Sequence, residues 1–389
     1  MTRVGAWILH SADAVAQTAD VVIVGGGFAG AATAYQLARR GLTKVILLEQ
    51  EDLPGRHSSG RNAAVARRLV ASADHRPLAF EGVRFMEEPP DDFPPGRYFE
   101  RTGSIMLGGP ELESKLRASV EEGRAAGLGG EWLTPEEVER LVPVTAGATF
   151  VGAAYSHDDG IADIAALLDA FLKAAHARGH QVLRNARLVG IDTRAGAVTG
   201  VRTTAGAIAT PTVINAAGAW APQVARLADL VPLPLRSLKR HMMVTSELSW
   251  TSRTWPAVWD MSHDVYFRPE PPGLLLSPCD AVETEPPGES TDASALELLA
   301  DKLERWLPRL ADVSIASVLA GLRTFAPDNN MILGEDPRLR GFFWCAGLGG
   351  NGMTLSPALG RIVADSVFGQ APPAAHAAER FAMVEPCPH

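Results

Sequence analysis

The feature that most restricts the fold of this chain lies near its start. Val21-Val22-Ile23-Val24 is a β-branched run suited to a buried parallel strand, and Gly25-Gly26-Gly27-Phe28-Ala29-Gly30 follows at once. An alanine-rich stretch through Arg40 reads as a helix closed by Gly41, and Lys44 to Leu48 reads as a second strand ending at Glu49. The spacing Gly25-x-Gly27-x-x-Gly30 suits a dinucleotide. The first glycine permits a tight turn, the second lets the amides around Gly27, Phe28 and Ala29 approach a pyrophosphate, and the third packs helix on strand. Glu49, 19 residues beyond Gly30 and followed by Gln50, is placed to accept hydrogen bonds from a ribose diol. The unit is read as binding an adenine dinucleotide, with NAD and FAD both open at this point.

Composition narrows the partners. The 389 residues are 46% hydrophobic and 21% charged, an ordinary globular balance with room for two or so domains. The formal charge of -9 offers no overall basic surplus, which argues against nucleic acid as a partner. Cys279, Cys345 and Cys387 are too few and too scattered for a disulfide framework or a thiolate metal site, so no metal is expected and a reducing cytoplasm fits best. No apolar run approaches the ~20 residues of a membrane-spanning helix. Residues 1–19 read as a disordered leader.

The cofactor question turns on later segments. Pro54 to Ala64, which includes His57, Ser58, Ser59, Arg61, Asn62, Ala63 and Ala64, is polar and rich in small side chains. It is placed to cross a pyrophosphate toward the far ring, with Arg56 and Arg61 adding charge. Thr212 to Trp220 is a strand running into a small-residue turn that contains Ala216, Ala217, Gly218 and Trp220. Phe342 to Cys345 is a strand entering a glycine loop with Gly349, Gly350, Asn351, Gly352, Met353 and Thr354, followed by a helix from about Leu355 to Val367. That helix N-terminus would stabilise negative charge on a reduced flavin.

These four segments together resemble the FAD-dependent D-amino-acid oxidase/glycine oxidase/sarcosine oxidase superfamily, with the D-arginine dehydrogenase type most similar. The likeness runs from Asp20 to about Gln370 and includes His57-Ser58-Ser59-Gly60-Arg61, Leu238-Lys239-Arg240, Trp255-Pro256, Val265-Tyr266, Gly321-Leu322-Arg323 and Phe342-Phe343-Trp344. It implies an α/β (α+β) fold in which a Rossmann-like FAD-binding domain is interleaved with a mixed-sheet substrate-binding domain. Residues 20–74, 146–230 and 321–375 are assigned to the first, 75–145 and 231–320 to the second, and 376–389 to a tail. It also implies FAD as cofactor. In sarcosine oxidases a cysteine near the Gly321 position links to the flavin; this chain has none there, so the FAD is expected to be non-covalent.

For the chemistry, Arg323 is the first choice of carboxylate anchor, because a guanidinium pairs bidentately with a carboxylate and keeps its charge when buried. In the resembling enzymes the arginine at this place binds the carboxylate. Tyr266 is expected to support the same group, and His241 is a candidate for substrate binding or proton removal, with a hydrogen-bonded core histidine as the alternative. The pocket departs from the D-arginine dehydrogenase pattern: His241 replaces an arginine, Val65 a histidine, Asn351 a tyrosine, and Arg67 and Val70 stand at threonine and tyrosine positions. Arg67, if it faced the cavity, would repel a guanidinium substrate. His157-Asp158-Asp159-Gly160 lacks the convergent spacing of a metal site and reads as a surface turn, with Asp163 capping the next helix.

The expected activity is oxidation of the C–N bond of a small amino acid, the D series favoured, by hydride transfer to flavin N5. The imine hydrolyses to a 2-oxo acid and ammonia. The alternatives are a sarcosine- or proline-like secondary amine oxidase, a 2-hydroxy-acid dehydrogenase, or an FAD-carrying subunit of a larger complex. The partners are then a small amine substrate and an electron acceptor, oxygen or another.

Overall fold

Strand Val21–Val24 has all four side chains buried, because its sheet is covered on both faces and such a strand needs an unbroken apolar run. In the computed structural model, which describes residues 17–70, 72–288 and 290–382, this strand lies inside a six-stranded sheet. The order is Gln181–Leu183, Val45–Leu48, Val21–Val24, Val213–Asn215, Phe342–Ala346, Ile332–Glu335. The first five strands run parallel and the last is antiparallel. On one face Ile23, Leu47 and Phe343 join a core with helices Phe28–Arg39, Arg76–Glu87, Ile164–His176 and Gly352–Val367. On the other, Val22, Ile46 and Trp344 join a core with a four-stranded sheet and the short helix Ala221–Arg226.

A nine-stranded mixed sheet forms the second half of the molecule. Ser104–Gly108, Ala257–Asp260, Val265–Glu270, Gly273–Ser277 and Arg236–Thr245 lie at its centre, and Ile315–Phe325 pairs antiparallel with Arg236–Thr245. Strand alternation sorts its two faces. Ile105, Leu107, Val265, Leu274 and Met243 pack with Leu299 and Leu303 of helix Ala293–Trp306. Met106, Trp259, Tyr266, Arg240 and Met242 line a cavity on the other side.

The architecture is mixed α/β with mixed sheets, as expected, but several segment limits differ. Gln17–Thr18 is not leader: it pairs parallel with Gly206–Ala209, and Ala19 is buried. Residues 1–16 lie outside the described residues. Gly152–Ser156, assigned to the cofactor half, pairs with Ser104–Gly108 in the nine-stranded sheet, and Ile315–Phe325 runs straight across the limit at 321. The expected tail is also partly structural, since His376 and Ala378 are buried and Ala377 bridges to Leu333.

Candidate functional site

A cavity of about 820 Å³ lies between the strand ends of the six-stranded sheet and the nine-stranded one, within the range of cofactor sites. Its first wall is the glycine turn. Gly25 has φ +108°, and a Cβ there would lie 2.5 Å from the Ala216 carbonyl oxygen, so only glycine fits. Gly30 does not line the cavity. A Cβ on it would come within 2.0 Å of the Gly25 oxygen, so its place is the contact between helix and turn. Gly27 caps helix Phe28–Arg39 without a side-chain bond of its own, and Gly27, Phe28 and Ala29 at the helix start line the cavity. Gly26, which sequence reasoning passed over, donates its amide to Glu49 Oε2 at 3.0 Å, and the Glu51 amide reaches Oε1 at 2.9 Å. Burial pushes the Glu49 carboxyl up, while these two amides pull it down. Glu49 and Gln50 sit at the cavity lip.

The loop from Pro54 to Ala64 forms the middle of the groove. Ser59 Oγ accepts the Phe28 amide at 3.0 Å, Asn62 Nδ2 donates to the Ser59 carbonyl at 2.7 Å, and the Ala64 amide donates back to Asn62 Oδ1 at 2.7 Å. The loop is tied to the second sheet: Ser58 Oγ donates to the Leu322 carbonyl at 2.6 Å and Arg61 Nη1 to the Ala320 carbonyl at 3.1 Å. His57 meets Glu51 at 3.0 Å and packs at a tilt with its ring centre 4.4 Å from that of Trp220, which orders the loop. Arg56 is engaged with Asp52 at 2.6 Å and is half exposed. Ala63, Ala216, Ala217 and Gly218 complete the walls. Helix Gly352–Val367 starts three residues earlier than expected, so Gly352, Met353 and Thr354 are its first turn. With Gly349, Gly350 and Asn351 they close the far end.

Beyond that end the cavity opens onto charged groups. Arg323 lines it with Nε buried and without a hydrogen-bond partner, its guanidinium 5.5 Å from the Phe325 ring centre. Burial and the neighbouring charge of Arg240 pull its pKa down to about 10, so it stays a cation at neutral pH. Tyr266 lies within electrostatic reach of Arg323 and Arg240, and burial raises its phenol, which therefore remains a hydrogen-bond donor. Both were expected here. Arg240, Trp259 and Arg67 also line the chamber.

His241 does not. It is buried on the opposite face of strand Arg236–Thr245, where Nδ1 meets Asp280 Oδ2 at 2.7 Å and Nε2 accepts the Asp292 amide at 3.1 Å. The expected role in catalysis is corrected accordingly: both ring nitrogens are spent on the fold. The neighbouring Arg240 takes the place in the cavity, because alternate residues of a strand face opposite ways. Asp159 likewise is not on the surface. It is buried and accepts from Ser104 Oγ at 2.6 Å and from the Arg68 amide at 2.9 Å. Asp163 caps helix Ile164–His176 through the Ala166 amide at 2.9 Å, as read. Among the described residues no group of three or more His, Cys, Asp or Glu side chains is placed to hold a metal, and no helix is long and apolar enough to cross a membrane.

A glycine turn closing on a helix N-terminus, a buried acid at the lip and a cation-lined chamber at the far end define a dinucleotide-dependent oxidoreductase. The chain belongs to the FAD dependent oxidoreductase family, designated DAO, whose profile matches residues 20–366. It is 31% identical over 371 residues to the mitochondrial sarcosine dehydrogenase of Homo sapiens, covering 89% of this chain and 39% of that protein. The chain thus spans about two fifths of the length of the first curated relatives it matches. Its fold is similar to that of the L-proline dehydrogenase from P. horikoshii (TM-score 0.81, 23% identity, 90% and 93% of the two chains). It is similar as well to that of the glycine oxidase from Geobacillus kaustophilus (TM-score 0.79, 24% identity, 96% and 100%). FAD is the cofactor of the family, and the donor set fits it: amides for the pyrophosphate, a carboxylate for the ribose, and a glycine loop at a helix start for the ring edge.

Proposed function

We propose that this chain oxidises the C–N bond of a small 2-amino acid, the D series first, to an imine that water converts to a 2-oxo acid and ammonia. The observation that carries the proposal is Arg323, its buried Nε without a hydrogen-bond partner among the described residues, at the end of a groove lined by all four cofactor segments. Gly25, Gly27, Phe28 and Ala29 would hold the pyrophosphate of FAD, Glu49 and Gln50 the ribose, and Ser58, Ser59, Asn62, Ala63 and Ala64 the middle. Gly349 to Thr354 would meet the ring, with the cofactor held non-covalently. When bound, FAD would supply the acceptor for the hydride, one proton with two electrons, that leaves the substrate carbon.

The side chains then bind and orient. Arg323 takes the substrate carboxylate, and the protonated Tyr266 phenol donates to the same group. Arg240 adds positive charge to the chamber, which disfavours an ammonium and leaves the amine lone pair free without a side-chain base. A secondary amine, N-methylated or cyclic, is the second reading, supported by the 31% identity to a sarcosine dehydrogenase. Anaerobic flavin reduction by D-alanine, sarcosine and D- and L-proline tests both readings. Arg323→Ala is expected to raise the half-saturating concentration roughly 10- to 100-fold, the worth of a charged hydrogen-bonded pair. Unchanged saturation in that variant would contradict the anchor.

A further inference from the structure

Arg67 is a cation in the substrate chamber that the carboxylate anchor does not use. It follows strand Val65–Ala66, and its guanidinium carbon lies 4.9 Å from the Trp259 ring centre, with Nη1 3.5 Å from Met106 Sδ. No carboxylate among the described residues pairs with it within the 4.0 Å of an ion pair. Asp159 is in electrostatic reach, but its oxygens already accept from Ser104 and the Arg68 amide. A second donor stands unused beside it: Trp259 Nε1 is buried without a hydrogen-bond partner. A guanidinium with no carboxylate partner among the described residues, beside an orphaned indole N–H, calls for an acceptor with negative charge.

The register fixes where that acceptor sits. Trp259 is directly opposite Tyr266, and Met106 is directly opposite Trp259 on its other side. Trp259 is therefore one strand spacing, about 4.8 Å, across the sheet from Tyr266, and Arg67 lies over its ring. We propose that Arg67 and the indole N–H of Trp259 form a second anion subsite, which makes the substrate a dicarboxylic amine, one carboxylate on Arg323 and Tyr266 and the other on Arg67 and Trp259. This rests on the amine-oxidation reading above for the identity of the reacting bond. A short separation between the carboxylates, as in aspartate or iminodiacetate, matches neighbouring strands.

The test uses the FAD-loaded full chain and two matched pairs. Diglycolate and methoxyacetate, unreactive acids with two and one carboxylates, are titrated by perturbation of the flavin absorbance. Iminodiacetate against sarcosine, and D-aspartate against D-alanine, are compared by anaerobic flavin reduction. The wild type is expected to bind diglycolate about 10- to 100-fold more tightly than methoxyacetate. Arg67→Gln should remove that margin by weakening diglycolate far more than methoxyacetate, and Trp259→Phe should narrow it. Arg67→Lys, which keeps the charge, should retain most of it and carries the test with Trp259→Phe where the glutamine variant does not fold. Equal affinities in the wild type, or a glutamine variant that weakens both acids alike, would overturn the subsite. If diglycolate is preferred through Arg67 while no amine reduces the flavin, the subsite stands and the amine reading fails. If sarcosine or D-alanine reduces the flavin with no diglycolate preference, the reverse holds.

Discussion

Asp336 has no exposed side-chain surface, yet it is ionised and fully engaged. Its oxygens accept from Arg338 Nε at 2.8 Å and Nη2 at 2.6 Å, from the Arg338 amide at 2.9 Å and from Trp344 Nε1 at 2.9 Å. Burial alone would raise the carboxyl, but these bonds outweigh it and hold it below the ordinary carboxylate range. A group whose folded pKa is depressed stabilises the fold above its unfolded pKa, and that contribution is lost as pH falls through the folded value. Asp336→Asn should therefore cost about 3 kcal/mol near pH 7, with the gap to wild type closing below about pH 4. Urea melts at the two pH values check it. At the same scale, Arg323 and Tyr266 were legible because residue type and family pattern pointed to them together. His241 was misplaced because residue type alone does not say which face of a strand a side chain takes: in Arg236–Thr245 alternation puts Arg240 and Met242 on one face and His241 on the other. Arg67 was legible only conditionally, since no pattern in one chain says which way a residue after a two-residue strand points.

Among the elements, helix Arg76–Glu87 crosses the start of helix Gly352–Val367 so closely that a Cβ on Gly82 would lie 1.8 Å from the Thr354 carbonyl oxygen. The obstacle is backbone, which cannot swing aside, so Gly82→Ala should cost about 1–3 kcal/mol by overpacking. Because Thr354 lies in the first turn at the cavity end, the variant should also bind FAD more weakly, read by fluorescence quenching alongside the melting temperature. Elements with a strong local signal are legible in a sequence: Pro135–Leu141 has a Thr134/Glu137 capping box, and Gly273–Ser277 holds three consecutive leucines. Ile315–Phe325 went unread, because its outer half is largely exposed and its alanines and glycine blur the alternation on which a strand is recognised.

At the scale of the whole molecule, the cavity joins both sheets, so filling it links their unfolding. Removing FAD by dialysis under mild denaturant and adding it back at a hundred times Kd should raise the melting midpoint by about 3 °C. Calorimetry of apo and reloaded protein tests this, and failure to strip the flavin would count against non-covalent binding. The interleaved order of segments was legible because glycine turns recur far apart in the chain. The points of sheet exchange were not, since Gly152–Ser156 and Ile315–Phe325 are placed by partners distant in sequence.

The bonds from Ser58 and Arg61 to the backbone of Leu322 and Ala320 bear on engineering. The peptide that lines the middle of the cavity is stitched to the very ribbon that carries Arg323, and a Cβ on Gly321 would press 2.8 Å from the Arg61 oxygen. Grafting a new specificity lobe onto this scaffold thus means transplanting residues 56–64 together with Ile315–Phe325 as one cassette. A chimaera that exchanges either alone would inherit a mismatched seam in the cavity wall.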